Sequence, residues 1–126
     1  MKIEWLSSHS DSGVLTIYSN NITLNKQATD FIKDSYSVIV GISRETKELV
    51  IKSLSKEDVE KQDISKESLK KLSIKKSYSR ITGKALIDEL SKVFNLDFKQ
   101  SSAFKFNAKW NNRYKMLIAT IVNEVK

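Results

Sequence analysis

The sequence predicts an α+β fold, a small barrel or sheet built from two copies of a strand-helix-hairpin unit. Three observations carry this. Ile22 to Leu54 reads as a short strand, an amphipathic helix and two β-rich runs, Tyr36 to Ile42 and Glu48 to Leu54. Arg80-Ile81-Thr82-Gly83-Lys84 leads into a second helix, after which Ala103 to Trp110 and Lys115 to Val122 form a second pair of strand-like runs. Between the halves, Ser55 to Ser77 changes character to a highly charged connector. The half-repeats span about 14–54 and 78–122, and the chain of 126 residues suits one domain spanning 1–126.

Taken in order, Ile3, Trp5 and Leu6 suit a short edge strand or a docked N-terminal arm, and Ser7 to Gly13 is small, polar and loop-like. Val14 to Tyr18 is β-branched, aromatic or apolar throughout, which favours a strand. Asn20-Asn21 suits a turn, because Asn tolerates positive φ and bonds its own backbone. Ile22 to Leu24 then returns. Asn25 is an N-cap for a helix over Lys26 to Lys33, on which Ala28, Phe31 and Ile32 share one face. Tyr36, Val38, Val40 and Ile42 alternate with Ser37, Ile39 and Gly41, so both faces of that run have apolar character. Ser43 to Lys47 is a charged hairpin turn, and Leu49-Val50-Ile51 returns.

The connector carries only scattered apolar residues, Val59, Ile64, Leu69, Leu72 and Ile74, and Lys66 to Leu72 is its helical candidate. In the second half, Leu86, Ile87, Leu90, Val93 and Phe94 form a helical stripe. Phe104, Phe106, Ala108 and Trp110 alternate with Lys105, Asn107 and Lys109, the mark of a half-buried strand with one wet face. Asn111 to Tyr114 turns, and Met116 to Val122 is nearly continuously apolar. One offset lays Asn25-Lys26 on Gly83-Lys84, Ala28 on Leu86 and Ile32 on Leu90. A second lays Ile39 on Phe106, Leu49 on Met116 and Ile51 on Ile118, with the extra residues of the second copy around Asn95 to Ser102.

Composition bounds the chemistry. With no cysteine and one histidine, His9, disulfide frameworks, cysteine nucleophiles and multi-histidine zinc sites fall away, and no cofactor or metal is expected. Met1 to Ser8 lacks the apolar core of a signal peptide, and no run approaches the ~20 apolar residues of a bilayer span. The expectation is a cytoplasmic protein without membrane contact. Enzyme catalysis would need a nucleophile, a tuned acid-base pair or a phosphate loop. Thr82-Gly83-Lys84 lacks the earlier glycine of a P-loop and reads as a helix start. Asp30 and Asp88-Glu89 read as solvated helix faces, so no catalytic residue is expected.

The formal net charge of +7 is unevenly spread: residues 66–84 hold seven Lys or Arg against one Glu. Lys70, Lys71, Lys75, Lys76, Arg80 and Lys84 are therefore the candidate nucleic-acid-binding residues, neutralising phosphates without reading sequence. Lys105, Lys109, Arg113 and Lys115 would extend that surface if the wet strand face lies beside the connector. The competing reading is a solvated surface. Lysine outnumbers arginine nineteen to three, as in chains from AT-rich genomes, and scarce arginine disfavours direct guanine readout. Tyr78 and Trp110 have the chemistry to stack on bases, although aromatics bordering strands usually pack.

The order Val14 to Tyr18, Ile22 to Leu24, Lys26 to Lys33, Ser37 to Ile51 resembles the AbrB-like swapped-hairpin domain of bacterial transition-state regulators and MazE-type antitoxins. In place of that family's Gly-Arg and Ile-Pro this chain reads Asn20-Asn21-Ile22-Thr23-Leu24-Asn25-Lys26, and it contains no proline. The resemblance implies two interleaved units forming one small barrel, here supplied by one chain as a monomeric pseudo-dimer, and DNA binding in transcription regulation. It also implies an alternative, a protein-interaction module whose 55–77 connector orders on a protein partner.

Overall fold

Among the described residues all the strands join one curled antiparallel sheet. The computed structural model describes residues 2–3, 12–61 and 64–122. Its elements run β1 (Ser12–Ile17), β2 (Asn21–Leu24), α1 (Lys26–Ile32), β3 (Ser37–Ser43), β4 (Glu48–Leu54), α2 (Lys56–Lys61), β5 (Ser73–Ile74), β6 (Ser79–Thr82), α3 (Lys84–Phe94), β7 (Phe104–Asn111) and β8 (Met116–Ile121). The sheet order is β3-β4-β8-β7-β1-β2-β6-β5. Three of these neighbours join the two halves of the chain: β1 to β7, β2 to β6 and β4 to β8.

The concave face carries the core. Leu15, Ile17, Ile22, Leu24, Ile81, Phe106 and Leu117 are all fully buried, each contributing roughly 1.5–3 kcal/mol of apolar burial. Period-2 alternation delivers them: Phe106 and Ala108 point inward from β7 while Lys105, Asn107 and Lys109 stay exposed. Ile87, Leu90 and Val93 bury the predicted stripe of α3, and Phe94 meets Phe106 edge-on with ring centroids 5.1 Å apart. Across the halves, the buried Thr29 and Ser79 hydroxyls are 2.7 Å apart, and the Thr29 hydroxyl donates to the Leu24 carbonyl at 3.2 Å. With its one proton so used, Thr29 accepts from Ser79.

Asn25 caps α1 as expected and does more. Its Oδ1 accepts from the Ala28 amide at 3.0 Å and from the Val14 amide at 3.1 Å, tying the helix start to β1. Gly13 lies inside β1, not in the expected loop. A Cβ there would stand 2.7 Å from the Ala28 Cβ and 2.8 Å from its amide nitrogen, so glycine is what lets α1 lie against the strand. Trp5 and Leu6 of the expected N-terminal arm lie outside the described residues, and Ile3 is exposed and outside any strand.

Other expectations need correction. Tyr36 precedes β3 and is exposed. Lys66 to Leu72 is not helical: Ser68 and Leu69 amides close a turn on Ser65 and Lys66 carbonyls, and Lys70 then bridges Val38. The connector's helix is α2, whose first turn is capped reciprocally. The Asp58 amide donates to Ser55 Oγ at 3.0 Å and the Ser55 amide donates to Asp58 Oδ2 at 2.9 Å. The Ser55 amide bonding the carboxylate, with the Ser55 side chain second, holds the Asp58 carboxyl below its ordinary 3.8. The connector thus carries α2 and β5 in the free chain.

The turns of the β3–β4 and β7–β8 hairpins also correspond at an offset one residue larger than expected. Lys47 and Lys115 occupy the same left-handed position, φ 58° and 55°. The Thr46 amide donates to Ser43 Oγ at 3.3 Å as the Tyr114 amide does to Asn111 Oδ1 at 3.0 Å. Leu49 therefore matches the buried Leu117 rather than the half-buried Met116. Turn geometry sets this register, and a slip of one would turn every inward side chain outward.

Candidate nucleic-acid interface

The β2–β6 ladder sets the β1–β2 and β5–β6 hairpins side by side, pairing Thr23 with Arg80 and Asn21 with Thr82. Each hairpin closes with the same backbone bond, Tyr18 amide to Asn21 carbonyl and Lys75 amide to Tyr78 carbonyl, both 2.8 Å. Because the strands are antiparallel, the two turns lie at opposite ends of the ladder. Tyr18 and Tyr78 therefore bracket Asn21, Thr23 and Arg80 around a cleft of about 410 Å³ on the convex face.

Arg80 is the centre of this cleft. It is half-buried, its guanidinium carbon lies 5.6 Å from the Tyr78 ring centroid, and one terminal nitrogen reaches the Tyr78 hydroxyl at 3.5 Å. Its Nε is buried, and no described group accepts from it. A charged donor left so costs about 1–3 kcal/mol until an acceptor reaches it. Ser73, Arg80, Thr23, Thr16 and Lys105 follow one another across five strands by ladder pairing, a row of hydroxyls with a cation at Arg80 and another at its far end.

The expected basic residues divide. Lys75 and Lys76 are exposed in the turn leading to Tyr78, on the hairpin that carries Arg80, and Lys71 is exposed just before β5. Lys70, three residues before β5, is tied by its backbone to Val38 of β3, and its ammonium donates to the Glu67 carbonyl at 3.1 Å. Lys84 starts α3 at the Thr82 end of β6 and is ion-paired with Asp88 at 3.3 Å. Of the possible extension, Lys105 shares the Arg80 row and Lys109 lines a separate cleft with Glu48. Arg113 stacks over Tyr114 at 5.4 Å in the β7–β8 turn, where Lys115 donates to Asn112. Trp110 is taken by packing, its ring 5.4 Å from that of Phe31 and nearly parallel to it.

Sequence reasoning missed Tyr18, Asn21 and Thr23. Their signal was alternation: with Leu15, Ile17, Ile22 and Leu24 inward, Thr16, Tyr18, Asn21 and Thr23 must face out. Among the described residues no cluster of His, Asp or Glu is placed to hold a metal ion, and no helix is long and apolar enough to cross a membrane. No family model, curated protein or solved structure matches the chain.

Proposed function

We propose that the chain is a nucleic-acid-binding regulatory protein, cytoplasmic and not an enzyme, made of two AbrB-like units fused as a monomeric pseudo-dimer. Its β5–β6 hairpin contacts the phosphate backbone. The observation that carries the reading is Arg80, which lines a cleft between two tyrosines with its buried Nε unpartnered among the described residues, on the same hairpin as the exposed ammonium groups of Lys75 and Lys76. A guanidinium matches phosphate oxygens in geometry and charge, and the flanking lysines add sequence-independent attraction through counterion release.

The strand order supports the duplication. Exchanging β1–β4 for β5–β8 preserves six of the seven neighbour pairs, and the seventh, β1 on β7, has a remnant in the bridge between Val38 and Lys70. Matching turns in both pairs of hairpins support it too. A pseudo-dimer that closes its own cross-half ladders needs no second copy, so sedimentation at micromolar concentration should give a monomer.

Fluorescence anisotropy of mixed-sequence duplex DNA across a salt series tests the function. The double variant Lys75→Gln, Lys76→Gln should bind more weakly and lower the slope of log affinity against log salt by about 2, roughly 0.9 per phosphate contact. Arg80→Gln should weaken binding further. No binding at low salt would refute the proposal.

A further inference from the structure

The sheet ends at β3, which pairs with β4 along its whole length. Among the described residues its outer side pairs only with Lys70, through one antiparallel bridge in which the Val38 amide and carbonyl bond Lys70 at 3.2 and 2.8 Å. Alternate residues of an antiparallel ladder turn their backbone groups toward the same neighbour. Val40 and Ile42 therefore present an amide and a carbonyl each to the open side, and no described residue takes them. Beside this edge a groove of about 430 Å³ runs between β3 and α3, floored by Val40, Ile42, Leu86 and Leu90.

We infer that this edge receives an extended segment of a partner protein as an added antiparallel strand, with an acidic residue leading two or three alternating apolar residues. The molecule shows the arrangement once already. The corresponding edge of β7 is covered by β1 over six residue pairs, with Leu15 and Ile17 turned inward. The chain's own connector is unsuited to the same task at β3. Continuing the Lys70 bridge would set Ser68 and Lys66 opposite Val40 and Ile42, polar groups against an apolar floor, and the chain turns away at Ser65 to Leu69 instead. A second copy is equally unsuited: antiparallel pairing of two β3 edges about Gly41 would bring Arg44 of each toward Lys70 of the other.

Charge fixes the direction. The groove's Arg44 end also carries Lys92, both exposed, while Glu89 lies along its middle and reappears with Glu67 in the adjoining cleft toward Lys70. An antiparallel strand begins at the Arg44 end of β3, so the acidic residue belongs at the N-terminal end of the segment. Added strands draw affinity from main-chain bonds and specificity from alternate side chains.

The probe is an acetylated, amidated Asp-Val-Thr-Val-Thr-Val peptide titrated into isotope-labelled protein. The Val40 and Ile42 amides should shift and gain exchange protection, and a peptide methylated at its bonding amides should bind at least tenfold more weakly. Val40→Pro removes an outward amide without touching the β4 ladder; it should lose peptide binding while leaving DNA binding unchanged, which separates this site from the β5–β6 hairpin. Charge reversal, Arg44→Glu with Lys92→Glu, should switch preference to a Lys-led peptide. Unmoved Val40 and Ile42 amides at saturating peptide would overturn the inference. So would equal binding of the methylated peptide, or dimerisation abolished by Val40→Pro, which would assign the edge to a second copy.

Discussion

The β1–β2 and β5–β6 hairpins turn alike, but β1 runs six residues along β7 whereas β5 pairs for only two along β6. The first hairpin is committed to the core. It seals the β7 edge, receives α1 at Gly13 and is pinned by Asn25. The second pairs deeply only through Ser79 and Ile81, and its turn is all exposed lysine and serine. Using the first hairpin for closure leaves the second to carry charge, and among the described residues the β3 edge beyond Val38 is left uncovered.

The largest test of that contrast compares two glycines. Gly13→Ala drives a methyl into Ala28 and should cost about 1–3 kcal/mol, as overpacking does, read from urea denaturation. Gly41→Ala, on the open edge, should change stability by less than about 0.5 kcal/mol. Equal effects would break the comparison. The helix caps sharpen it next. Asn25→Ala should cost about 1–2 kcal/mol, since Oδ1 holds both the helix and β1. Gly83 caps α3 with extended backbone and no side-chain bond, and a Cβ there meets only ordinary contact at 3.6 Å, so Gly83→Asn should gain a few tenths of a kcal/mol.

The smallest effect concerns the connector. Asp58 has a lowered folded pKa because the Ser55 amide bonds its carboxylate. Its contribution is fully present above the unfolded value and is lost as pH falls through the folded one. Amide exchange in α2 should therefore quicken below about pH 3.8, and Asp58→Asn should remove that step.

Legibility followed locality. The α3 stripe, the β7 alternation and the span of β4 were readable because periodicity within one element determines them. Gly13 was misplaced because its reason is Ala28, a contact made only in the fold. Lys66 to Leu72 was the helical candidate of the connector, but Lys70 pairs with Val38, a partner no local pattern announces. The real connector helix had its signal in Ser55 and Asp58 and lacked an apolar stripe to reinforce it. The basic residues were visible as a run; that Lys70 and Lys84 leave the group while Tyr18 joins it depends on which strands become neighbours.

The three ladders between halves also govern how the chain acquires its structure. β1 closes on β7, with Ser12 opposite Lys109 and Ile17 opposite Phe104. On the ribosome, the first half must wait with one edge of β1 open, beyond its pairing with β2, until residues 104–109 have emerged. Contacts so distant in sequence slow folding toward the millisecond-to-second range, and a nascent chain holding open strand edges through that interval is a natural client for chaperones.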